Sequence, residues 1–220
     1  MNKEYIASLE ELYTRNPQKA RIFCDGEWGI NDEGLVFKNW RVEEFNPMEL
    51  AAAGLQHRAG CDLGFIDKTA VIDTLYDAEN RTIYIFNEFY KSGCQLDEIA
   101  KAIENMNLTK TKLYVDAAEP RTIQFFRNNG INAVASAKGR DSVRAGIEFL
   151  KNHALVVLPL CTNFIHELEN FSYIKSKQTG EFTNETTHEY SHAIDACRYA
   201  YCDCYTNKQL KTISKAALSL

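Results

Sequence analysis

Three strand-like stretches in succession, followed by helix and strand in alternation, leave few architectures open to the segment that begins near Gly60. "AGCDLGF", "TAVIDTLYD" and "RTIYIFNEFY" carry the β-branched and aromatic residues of strands. "LDEIAKAIENM" then places Leu96, Ile99, Ala100, Ile103 and Met106 three and four apart, the apolar stripe of a helix. "KLYVDAA" reads as a short buried strand and "RTIQFFRNNG" as a helix stopped at Asn129 and Gly130. "NAVASA" and "ALVVLPL" are two more strands on either side of the helix "DSVRAGIEFLKN". "NFIHELENFSYI" is helical, "KSKQTGEFTNE" is a turn or hairpin excursion, and a helix holding Asp195 closes the fold. The pattern predicts an α/β domain with a mixed sheet flanked by helices.

The first fifty residues differ. A short amphipathic helix, "EYIASLEELYTR", precedes two strand-like pieces around a turn at Asn31 to Gly34. They read as an N-terminal appendage or linker over residues 1–55, ahead of a main domain over 56–220. The longest apolar run, Ala154 to Leu160, is far short of the roughly 20 residues that cross a bilayer. The N-terminal residues contain no secretory apolar region, and the seven cysteines are odd in number with no disulfide-framework spacing. These features point to an intracellular protein. Cys197, Cys202 and Cys204 cluster near His192, but the spacing C-x4-C-x-C is not that of a usual zinc site and reads as packing.

A net charge of −5 argues against indiscriminate nucleic-acid binding, yet the charge is uneven. Lys110 to Lys151 hold eight basic and four acidic side chains, a local +4 that leaves −9 on the remainder. Such a basic segment can track a phosphate backbone, or it can be a solvated surface.

Three acids stand out by position. Asp62 lies at the end of the first strand, immediately before a Leu-Gly turn, and Asp116 ends "KLYVD", where α/β sheets place ligand sites. Asp195 lies on the last helix with His192 three residues earlier on the same face. Taken singly, Asp62 could be a turn former, Asp116 a helix cap and His192 a core histidine. Brought together, the three carboxylates would need a cation. Hard oxygen donors without thiolate select Mg2+ or Mn2+, and two such ions about 3.5 to 4 Å apart would suit in-line phosphoryl displacement.

"GCDLGFIDKTAVI", "LYVDAAEPRTIQFFRNNG", "SAKGRDSVRAGIEFL" and "EYSHAIDACRYA" resemble, in order and spacing, the motifs of the nuclease domain of the large terminase subunit of tailed bacteriophages. That domain belongs to the RNase H-like superfamily, and the resemblance runs from about Gly60 to Ala200. It extends to "GEWG" and "GLVFKNW", which resemble the segment joining the family's ATPase to its nuclease. The resemblance implies an RNase H-like fold with Asp62, Asp116 and Asp195 as metal-binding triad and His192 as a ligand or proton carrier. Glu119 and Asp67 would support the triad from beside it. Lys138 and Arg140 of "KGRDS" would contact phosphate at a helix entry, although Asp141 there can serve merely as N-cap. The implied activity is metal-dependent cleavage of concatemeric double-stranded viral DNA during genome packaging. The implied partners of a complete motor are the small terminase subunit and the portal protein, in the host cytoplasm.

No G-x-x-x-x-G-K-[ST] occurs in the chain, so an isolated nuclease domain or truncated product without ATP hydrolysis is expected. Ser191 stands where many family members have Asn before "HAIDA", which touches only a local hydrogen bond. Two other readings stay open at this point. One is another RNase H-like nuclease, such as a junction resolvase; the other is a non-catalytic DNA-docking module.

Overall fold

The computed structural model of the chain describes residues 34–64, 66–116, 120–137, 141–176 and 178–206. In chain order it runs β1 (Trp40–Val42), α1 (Pro47–Ala52), β2 (Gln56–Asp62), β3 (Lys68–Asp77), β4 (Thr82–Ser92), α2 (Leu96–Asn105) and β5 (Leu113–Val115). Then follow α3 (Pro120–Asn128), β6 (Ala133–Ala135), α4 (Ser142–Lys151), β7 (Ala154–Val157) and α5 (Thr162–Asn170). Strands β8 (Tyr173–Lys175) and β9 (Phe182–Thr186) and helices α6 (His192–Ala200) and α7 (Cys202–Thr206) complete it.

One mixed sheet of order β1-β7-β4-β3-β2-β5-β6 carries the molecule. Strands β2, β3 and β4 form an antiparallel meander, while β5 joins β2, β6 joins β5, β7 joins β4 and β1 joins β7 in parallel. The period-2 alternation of strands divides the core in two. Ala70 and Ile72 of β3 pack with Ile147, Phe164, Ala193 and Ala196 on one face. Val71, together with Ala59, Cys61, Leu113 and Val115, packs with Ile99, Ile103, Ile123 and Phe126 on the other. The stripe read on α2 is the buried one, with Ile99, Ala100 and Ile103 inside. Helix α3 stops as its sequence suggests, with Gly130 at φ 75°.

Three local readings are corrected. Residues 34–42, read as part of the appendage, join the main body: Val36 and Phe37 are buried in its core, and β1 hydrogen-bonds to β7. An apolar stretch beside an open sheet edge gains both burial and backbone pairing there. The helix read through "NFIHELENFSYI" ends at Asn170, and Tyr173 to Lys175 turn into the first strand of a hairpin with β9. The β-branched and aromatic residues after Phe171 favour extended backbone, and Leu35 bridges to Ser172 to hold them so. The first strand begins earlier than read, at Gln56, and stops at Asp62, where Thr69 Oγ1 donates to Gly64 O (2.6 Å) and closes the turn. The expected N-terminal helix and the turn beginning at Asn31 lie outside the described residues. Among the described residues no helix is long and apolar enough to cross a membrane.

Between β2 and β3 an ion pair is built into the sheet. Asp73, 2% exposed, meets His57 Nε2 at 2.5 Å. The hydrogen bond to Asp73 raises His57 above 6.5 against the opposing effect of burial. That contribution to stability is complete below the unfolded value and is lost as pH rises through the raised folded value. Asp73 acts in the opposite sense, since burial raises its carboxyl above 3.8 despite His57, and ionising it costs stability as pH rises from there. The melting-temperature advantage of the natural chain over His57→Gln is therefore expected to be greatest between the two raised values and to shrink at alkaline pH. A difference flat across pH, followed by thermal denaturation, would remove the ion pair from the account.

Candidate active site

The alternation of β2 sends Ala59 and Cys61 to one core and leaves Gly60 and Asp62 on the opposite face. Strand β5 repeats the pattern, with Leu113 and Val115 on the first face and Tyr114 on the second. Because the two strands are parallel with Cys61 opposite Val115, Asp62 and Asp116 leave the sheet side by side. Asp116 N donates to Cys61 O at 2.9 Å and fixes that register past the end of β5.

Helix α6 lies across this face and supplies the third acid. It approaches β2 so closely that a Cβ on Gly60 would stand 1.9 Å from Ala196 O and 2.8 Å from Ala200 N. Only glycine permits that contact, and the small residues Ala193, Ala196 and Ala200 carry it from the helix side. Asp195 in the first turn of α6 therefore reaches the same open cleft as Asp62 and Asp116. That cleft, of about 950 Å³, is also lined by Asp67, Lys68, Tyr90, Asn163, His166 and His192.

Each carboxylate has a protein partner. His192 Nδ1 lies 3.1 Å from Asp62 Oδ2. Tyr199 donates its hydroxyl to Asp116 Oδ2 at 3.0 Å. Arg198, 3% exposed, holds Asp195 Oδ1 through Nε at 2.9 Å and Nη2 at 2.8 Å. Burial raises the Asp62 carboxyl, His192 opposes this, and the charges of Asp195 and Asp116 raise it further. The bond to Asp62 raises His192 in turn. Burial holds the Tyr199 hydroxyl protonated, which keeps it a donor to Asp116.

The terminase RNase H-like domain family matches this chain over residues 62–203. The chain belongs to that family. It is 28% identical over 207 residues to the PBSX phage terminase large subunit of Bacillus subtilis (strain 168), covering 91% of this chain and 47% of that protein. It is 25% identical over 148 residues to the large terminase subunit of Escherichia phage T5, covering 64% of this chain and 33% of that one. The chain thus spans between a third and a half of the length of these relatives. Among solved structures, the large terminase nuclease domain of bacteriophage SPP1, which has bound Mn, superposes with a TM-score of 0.68. It shares 30% identity over 76% of this chain and 97% of that domain. The mixed sheet with flanking helices is accordingly the RNase H-like fold of terminase nucleases.

Among the described residues no group of three His, Cys, Asp or Glu side chains is posed as a finished metal cage. Each acid is turned to its own partner, as set out above. The donor chemistry nevertheless fits a hard divalent cation: three carboxylates with no thiolate among them border one cleft. Asp62, Asp116 and Asp195 are the residues that would hold it.

Of the other residues singled out in the sequence, His192 and Asp67 line the same cleft. Glu119, Lys138 and Arg140 lie outside the described residues. Asp141 takes the N-cap position of α4 in left-handed conformation, φ 64°, and its side chain makes no cap bond. The six described cysteines are free, and five of them are buried.

Sequence reading missed Arg198, although Asp195-x-x-Arg198 is the i,i+3 spacing of a helical ion pair. It also missed Gly146 of α4, where a Cβ would stand 2.3 Å from the Arg198 stem, so that glycine leaves room for the arginine. Tyr90, Asn163 and His166 were missed as well, and only packing brings them to the cleft.

Proposed function

We propose that this chain is a divalent-metal-dependent endonuclease that cuts concatemeric double-stranded viral DNA during genome packaging. The observation that carries the reading is the convergence of Asp62, Asp116 and Asp195, from two parallel strand ends and a crossing helix, on one open cleft. The Mn-bound relative from SPP1 supports divalent metal use. Asp62, Asp116 and Asp195 would hold Mg2+ or Mn2+, two ions on this reading, which supply Lewis-acid polarisation of the phosphate and a more acidic attacking water. Tyr199 keeps Asp116 oriented through its hydroxyl. His192 holds a proton against Asp62 and can pass it across the cleft. Lys68 is the one Lys or Arg among the described residues lining the cleft, and its charge opposes that of a phosphate. No covalent intermediate is needed. Because the relatives are longer, the ATPase, the small terminase subunit and the portal protein belong to the proposed context of a large subunit in the host cytoplasm.

The test is incubation of supercoiled plasmid with the purified chain in Mn2+, in Mg2+ and in chelator. Nicking and linearisation that depend on metal are expected, with little sequence preference. Cleavage confined to branched DNA would favour a junction resolvase, and metal binding without cleavage would favour a docking module.

Lys138 and Arg140 enter through the salt dependence of DNA binding. Replacing either with alanine is expected to weaken binding evenly across sequences and to reduce the slope of log K against log salt by about one. An unchanged slope would say that these two side chains do not touch phosphate.

A further inference from the structure

Glu167 of α5 is 1% exposed, an uncommon place for a carboxylate. Its oxygens are engaged in two directions. Oε2 accepts from Ile194 N at 3.0 Å, with the neighbouring Ala193 N–H also directed to the carboxylate. Oε1 accepts from the hydroxyl of Tyr90 at 2.8 Å. Ala193 and Ile194 are the second and third residues of α6, whose first-turn N–H groups have no partners within the helix. Ser191, at the N-cap, does not cap them and gives its hydroxyl to His188 O instead. A carboxylate from another helix does the capping, where the helix dipole favours a negative charge.

Glu167 is itself anchored. Glu88 of β4 accepts from Asn163 N and Phe164 N, both at 2.9 Å, and so caps the start of α5. Tyr90 lies two residues further along β4 and therefore on the same face of the sheet. Strand β4 thus holds α5 at its N-terminus and at Glu167, and Glu167 holds α6.

We propose that Glu167 is a positioning residue for the carboxylate cleft: by capping α6 from α5 it fixes where His192 and Asp195 stand against Asp62 and Asp116. The assignment rests on the nuclease reading above. Glu167 does not line the cleft and touches neither substrate nor metal in this role. A buried group of this kind that orients the residues around a cation is commonly worth 10- to 100-fold in metal affinity or activity.

The experiment compares the natural chain, Glu167→Ala, Glu167→Gln and Tyr90→Phe by Mn2+ calorimetry, plasmid cleavage and amide hydrogen exchange, well below their melting temperatures. Glu167→Ala is expected to weaken Mn2+ binding and slow cleavage at least tenfold, and to speed exchange at Ala193 and Ile194 more than elsewhere. Glu167→Gln is expected to recover most of both, because its amide oxygen still accepts from the helix and its NH2 group can face the Tyr90 oxygen. Tyr90→Phe keeps the cap and should leave exchange in α6 near its natural rate. A folded Glu167→Ala chain with natural Mn2+ affinity, or with unchanged exchange at Ala193 and Ile194, overturns the proposal. Equal losses in the Ala and Gln variants would overturn it too, since the cap would not be what matters. Absence of Mn2+ binding and cleavage in the natural chain would instead mark failure of the nuclease reading.

Discussion

Asp116→Asn is expected to lose metal-dependent plasmid cleavage by about a thousandfold, the equivalent of roughly 4 kcal/mol of transition-state stabilisation. Asparagine keeps the size of the side chain and an oxygen that can still accept from the Tyr199 hydroxyl, now at 3.0 Å from Asp116 Oδ2. Its melting temperature is therefore expected to remain within a few degrees of the natural chain. What it removes is the negative charge beside Asp62, so Mn2+ affinity measured by calorimetry should fall together with the cleavage rate. Asp116→Ala should lose cleavage to the same extent with a larger cost in stability, because the hydroxyl of Tyr199 then lacks that acceptor. Full cleavage by a folded Asp116→Asn chain would strike this residue from the site.

The second large effect concerns a residue with no side chain. Gly60→Ala puts a methyl group 1.9 Å from Ala196 O, against helix backbone that cannot rotate aside. Helix α6 must then lift from β2, and the cost lies at the upper end for overpacking, about 3 kcal/mol. In a chain of this size that corresponds to a fall in melting temperature of roughly 10 °C. The same lift carries Asp195 and His192 away from Asp62, and a displacement of about 1 Å in a catalytic arrangement can cost on the order of a hundredfold in rate. Stability and cleavage should consequently fall together, unlike Asp116→Asn, where cleavage and Mn2+ affinity fall while the melting temperature holds. A Gly60→Ala chain that melts and cuts like the natural one would mean that α6 does not need the close approach to β2.

The elements that repeat a simple period were legible in the sequence. The stripe of α2, the β-branched and aromatic runs of β3 and β4 and the stop at Gly130 all depend on residues within a few positions of one another. Segments whose conformation is decided by a distant partner were not. Trp40 to Val42 looked like part of an appendage until β7 supplied its hydrogen bonds, and Tyr173 to Lys175 looked helical until β9 paired with it.

The site divides along the same line. The places of Asp62 and Asp116 at strand ends, and of His192 and Asp195 on one face of the last helix, were read from the sequence, while their grouping as a triad was what the family resemblance implied. The cation beside Asp195 was within reach of the same reasoning, since Arg198 is one helical turn away. Only the tertiary structure decided that Gly60 admits α6 against β2, that Gly146 makes room for Arg198, and that Glu167 caps a helix 27 residues away in the chain. A local pattern specifies which way a side chain points, because backbone geometry repeats; it does not specify what it meets. That depends on how closely two elements pack, and here the distance is set by a missing methyl group and a buried carboxylate.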